Sequence, residues 1–123
     1  MILVDSSIWV GHLRSADAGL VELLDGGAVL VHPIVIGELA CGKVPRRAEV
    51  LRLLQRLPLA PSEHDDEVLG FIDRHRLMGR GIGYIDAHLL AATLLARETR
   101  LWTADARLAA AAAGLFIAYD PTN

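Results

Sequence analysis

Four acidic residues stand where a merely solvating charge is not expected. Asp5 follows the apolar run Ile2-Leu3-Val4, and Glu38 is the only charge between Pro33 and Gly42. Asp86 opens the most apolar stretch of the chain, and Asp105 follows Leu101-Trp102-Thr103. Taken singly, each Asp also suits a helix cap, and Glu38 suits a half-exposed helix face. Taken together they suggest more, because carboxylates crowded at one place repel one another and hold their protons more tightly unless a cation compensates. Oxygens without His or Cys partners suit hard cations, Mg2+ or Mn2+, rather than zinc. The residue types point to a divalent-metal site.

The elements that would gather these acids alternate strand and helix. Ile2 to Val4 reads as a buried strand feeding a helix through Ile8, Trp9 and Leu13. After the Gly26-Gly27 break, Ala28 to Val31 reads as a second strand, followed by a helix with Pro33 at its first position and Gly42 at its close. Pro45 is expected to open a helix whose Val50, Leu53, Leu54 and Leu57 face the core, and Pro58 and Pro61 to end it. Ser62 with Asp65 resembles a capping box ahead of a helix lined by Val68, Phe71, Ile72 and His75. The Gly79 to Gly83 turn delivers the apolar helix Tyr84 to Arg97. Leu101 to Thr103 is expected as a third strand, Asp105 to Ala113 as a helix closed by Gly114, and Leu115 to Tyr119 as a last strand. This alternation predicts an α/β fold with a short central parallel sheet flanked by helices on both faces. In such sheets the carboxyl ends of the strands and the starts of the following helices share one edge, where ligands bind. Asp5, Asp86 and Asp105 map there directly; Glu38 must reach it from partway along its helix.

Val4-Asp5-Ser6-Ser7, Ile36-Gly37-Glu38-Leu39, the run Tyr84 to Thr93, and Leu101-Trp102-Thr103-Ala104-Asp105 resemble the successive motifs of PIN-domain nucleases. The likeness is nearest to the VapC-type toxins of toxin-antitoxin pairs, and it runs from residue 2 to about 119. The resemblance implies an endoribonuclease that cuts RNA with Mg2+, or Mn2+ as substitute, held by Asp5, Glu38, Asp86 and Asp105. Ser6 and Thr103 would orient the carboxylates or a bound water; a helix cap and a strand-end hydroxyl are their plainer roles. In metal-dependent phosphodiester cleavage one ion lowers the pKa of the attacking water while a second steadies the leaving oxygen. No Ser, His or Cys nucleophile is then required. It further implies a cognate antitoxin as partner and a homodimer, for which the first helix (Ile8, Trp9, Leu13) offers apolar surface that equally suits the core.

Composition sets the outer limits. With 123 residues, against roughly 150 per domain, the chain is expected to be one domain, 1–123. No stretch reaches the roughly 18 apolar residues of a membrane span, and the start has no basic lead, so a cytoplasmic protein is expected. The single Cys41 cannot form an internal disulfide and is expected as a small core residue. A net charge of -3 means that any RNA contact must be local. Arg80 and Arg107 are better placed for phosphates than the basic stretch from Lys43 to Arg56, which suits a solvated helix face with pairs such as Glu49 to Arg52. His12, His32, His64 and His75 are expected at the surface or core edge, and His88 off the face of Asp86, so a His-pair mechanism is disfavoured. A receiver-like signalling domain would also gather acids around Mg2+, but it needs a late lysine, and Lys43 is the only one. A PIN-like scaffold that binds RNA or protein without catalysis is the remaining alternative.

Overall fold

The computed structural model describes residues 1–122. Its elements run β1 (Ile2–Val4), α1 (Ser6–Arg14), α2 (Ala18–Asp25), β2 (Val29–Leu30), α3 (Pro33–Cys41), α4 (Arg47–Leu54), α5 (Asp65–His75), α6 (Tyr84–Leu95), β3 (Arg100–Trp102) and α7 (Ala106–Gly114). The three strands form a parallel sheet in the order β2-β1-β3, with Leu3 opposite both Leu30 and Leu101. β1 is central and buried throughout, as its unbroken apolar run requires. Its carboxyl end therefore opens between the ends of both neighbours, and Asp5 is the next residue.

α6 packs against α5 and β3. Ala87, Leu89, Leu90, Ala91 and Ala92 are all buried, and Thr93 is tolerated there because its hydroxyl donates to the Leu89 carbonyl at 2.7 Å. Ala111 and Ala112 of α7 are likewise fully buried, so the alanine run serves close packing. No helix of the described residues is long and apolar enough to cross a membrane.

Several local expectations are corrected. Leu115 to Tyr119 is not a strand: Leu115 caps α7, Phe116 is 87% exposed at φ 62°, and only a single bridge joins Ala118 to Leu101. Pro45 lies outside α4, because Arg46 turns left-handed at φ 51° and the helix starts after it; Leu53 then faces outward. α5 is capped two residues later than expected, with the His64 N–H donating to the Glu67 carboxylate, which leaves Ser62 outside and Asp65 free for another partner. α6 stops at Leu95, short of Arg97, and Thr103 lies just past β3. Cys41 is exposed, since α3 turns its last residue to solvent. His32 is buried, not edge-exposed: it caps α3, its Nδ1 accepting from the Ile34 N–H at 3.0 Å. No ion pair joins Glu49 to Arg52 among the described residues. Trp9 belongs to the core, and Leu13 borders an apolar groove of about 360 Å³ with Leu24, Val50 and Leu53.

Candidate active site

Asp5 is the N-cap of α1 and the best-held acid of the group, only 6% exposed. Its Oδ1 accepts from the Ser6 N–H at 2.8 Å, with the Ser6 hydroxyl at 3.4 Å. Its Oδ2 accepts from the Ser7 hydroxyl at 2.8 Å and from the Thr103 hydroxyl at 2.7 Å. The Ser7 oxygen in turn accepts from the Ala104 N–H, and the Thr103 oxygen from the Asp105 N–H. Two hydroxyls thus fasten the end of β1 to the turn after β3. Ser7 escaped the sequence reading, which favoured Ser6; its position at the second residue of a helix capped by an acid was the available signal.

Asp105 caps α7 through Oδ1, which accepts from the N–H groups of Arg107 and Leu108. Asp86 sits at the third position of α6, where its Oδ2 accepts from the Gly83 N–H at 3.1 Å. The capping roles and the site roles therefore coexist on the same side chains. Asp86 Oδ1 and Asp105 Oδ2 accept no hydrogen bond among the described residues.

Glu38 and Asp86 feel the charge of neighbouring acids. Burial pushes the Glu38 carboxyl up, the Ser6 hydroxyl partly opposes this, and Asp5 and Asp86 push it further up. Asp86 is raised by burial, relieved by the Gly83 N–H, and raised again by Asp5 and Asp105. Of the expected site residues, Ser6 and Thr103 reach Asp5 directly and Thr103 also accepts from the Asp105 N–H, while Glu38 and Asp86 are linked to Asp5 only through its charge. The cluster is nevertheless open: among the described residues no three His, Cys, Asp or Glu side chains close on one point tightly enough to hold an ion. In chemistry the set fits Mg2+ or Mn2+, being all oxygen and provided with uncommitted oxygens on Asp86 and Asp105.

Beside the acids lies a second polar group. The Tyr84 hydroxyl donates to Asp65 Oδ1 at 2.6 Å, His88 Nε2 stands 3.4 Å from the same oxygen, and the two rings meet edge to face. The Tyr84 hydroxyl holds the Asp65 carboxyl below its usual range, while Asp65 pushes that hydroxyl up to about 12. These contacts tie the start of α5 to the start of α6, two residues from Asp86. His32, buried nearby in charge terms, is lowered to about 4 by burial and by His88.

Known proteins share this fold and family. The PIN domain family matches residues 2–114. The chain is 52% identical over 113 residues to Ribonuclease VapC32 of Mycobacterium tuberculosis, in strains CDC 1551 / Oshkosh and ATCC 25618 / H37Rv alike, covering 92% of this chain and 91% of the relative. The crystal structure of PAE2754 from Pyrobaculum aerophilum superposes with a TM-score of 0.66 at 18% identity, over 98% of this chain and 89% of that one, which is a likeness of fold. Matched from its first strand to its last helix, the chain belongs to the PIN-domain family and is of VapC type.

Proposed function

We propose that the protein is a Mg2+- or Mn2+-dependent endoribonuclease that acts as the toxin of a type II toxin-antitoxin pair, with a cognate antitoxin as partner and a homodimer as its working form. The observation that carries the reading is the placement of Asp5 at the end of the central strand of a parallel sheet, where the Thr103 hydroxyl donates to its carboxylate and accepts from the Asp105 N–H, so that two of the acids share the carboxyl edge. Half identity to a ribonuclease over nearly the full length of both chains supports the choice of RNA.

Bound divalent ions would supply activation of water and stabilisation of the leaving oxygen; Asp5, Glu38, Asp86 and Asp105 would hold them. The chain's own part is positioning. Ser7 and Thr103 lock the Asp5 carboxylate in one rotamer, so little reorganisation is left when substrate arrives. The Gly83 N–H fixes Asp86 by one oxygen and leaves the other facing outward bonds. Glu38, exposed partway along α3, would complete the oxygen set from the helix beside β2.

The test is cleavage of RNA by purified protein with Mg2+ or Mn2+, comparing the parent with Asp5→Asn and Asp86→Asn. Both variants are expected to lose at least about 100-fold in rate while keeping the parent's circular dichroism. Equal rates would overturn the carboxylate assignment. Inability of the folded parent to cut any RNA with either ion would favour the non-catalytic binding module.

A further inference from the structure

The turn leading into α6 carries two left-handed glycines, Gly79 at φ 71° and Gly81 at φ 77°, with Arg80 exposed between them. Gly81 has a second constraint besides its backbone. A Cβ placed there would lie 2.6 Å from Arg107 Cδ and 2.8 Å from its Nη1, so the arginine lies flat on the glycine where any side chain would displace it. The backbone N–H of Arg107 takes part in the α7 cap, donating to Asp105 Oδ1 at 2.8 Å. The side chain thus reaches from the start of α7, beside the Asp105 cap, to the turn that delivers Asp86. Its guanidinium joins no ion pair and no hydrogen bond among the described residues.

An exposed planar fork of donors, lying against a glycine and left without an acceptor, is matched to a phosphate group. We propose that Arg107, seated on Gly81, binds a backbone phosphate of the RNA strand beside the one being cut. The inference rests on the nuclease reading for the identity of the strand. It also explains how a chain of net charge -3 engages a polyanion, since one seated cation beside the carboxylates supplies local attraction that the total conceals.

The experiment measures binding of a fluorescent single-stranded RNA oligonucleotide across a salt series, all proteins carrying Asp5→Asn so that cleavage cannot interfere. Arg107→Ala is expected to bind about tenfold more weakly, a loss typical of one charge-assisted hydrogen bond. The slope of log affinity against log salt should become shallower by about 0.7, the value for one phosphate contact on a single strand. Arg107→Lys should keep the slope and recover part of the affinity. Gly81→Ala, which keeps every charge but fills the seat, should weaken binding with the melting temperature checked alongside. In the active background, Arg107→Ala should raise KM while kcat stays within about twofold of the parent. Unchanged affinity and slope for Arg107→Ala overturn the proposal, as does equal loss in Ala and Lys variants at unchanged slope. If the active parent cuts no RNA yet binding still responds to Arg107→Ala in this way, the phosphate seat stands and the nuclease reading fails.

Discussion

Asp5 illustrates how a single carboxylate is made rigid. Its two oxygens accept from one backbone N–H and three hydroxyls, and the oxygens of Ser7 and Thr103 are themselves engaged by backbone N–H groups. Ser7→Ala removes a donor from Asp5 and an acceptor from Ala104 together. It should cost about 1–3 kcal/mol in urea denaturation and lower cleavage by about tenfold or more, as loss of a ligand-orienting partner does. Ser6→Ala should do less, because the Ser6 backbone N–H keeps the shorter contact with Asp5. The reverse order of damage would mean that Ser6 is the orienting hydroxyl. His32 offers a separate pH signature. Its pKa falls from 6.5 to about 4 on folding, through burial and then His88, so between those values the unfolded chain binds more protons. The contribution of His32 to stability should therefore decline as pH drops from 6.5 to about 4. His32→Asn keeps a cap acceptor for the Ile34 N–H but removes the titration, so urea midpoints of parent and variant should diverge across that window. Parallel midpoints would show that His32 is not held neutral by the fold.

α6 is the element on which the site turns, since its first turn carries Asp86 and its body is core. Its start is fastened to α5 by Tyr84 and His88 through Asp65. Tyr84→Phe should leave global stability nearly unchanged, because the pair is exposed, yet speed amide exchange over 83–87. If exchange there matches the parent, the tie to α5 does not order the start of α6. Much of this architecture was legible in sequence because it follows from local pattern: Pro33 at the first position of α3, the unbroken apolar β1, and an Asp at three strand or helix junctions. What was not legible depends on how elements rotate against one another. Whether Ser6 or Ser7 turns to Asp5 is decided by the roll of α1, which burial of Trp9 sets. The left-handed turn after α7 fell on Phe116 rather than a glycine, so the expected last strand shrank to one bridge. The seat of Arg107 on Gly81 joins residues 26 apart in sequence through packing that no periodicity encodes.

At the scale of the whole molecule the acid cluster is a local cost carried by an otherwise well-packed core. Glu38 and Asp86 hold their protons more tightly in the folded chain than in the unfolded one, through burial first and neighbouring carboxylates after it. Just above the ordinary carboxylate range these two groups therefore bind more protons in the folded chain, and their contribution to ion-free stability, opposite in sign to that of His32, should fall as pH rises through that interval. At neutral pH, Asp86→Asn removes one of the repelling charges and should melt slightly above the parent, by about 1–4 °C once solvent screening of a half-exposed group is allowed for. Mn2+ should invert the order. An ion that binds only the folded state adds about 2.7 kcal/mol at roughly 100 times its Kd, or about 5–15 °C for a domain of this size. The parent should gain that shift, while Asp5→Asn and Asp86→Asn should gain little. The melting curves of parent and Asp86→Asn are thus expected to cross as Mn2+ is titrated. A parent that gains nothing at millimolar Mn2+ would mean that the four carboxylates do not draw together around an ion, and the repulsion among them would then need another cation to answer it.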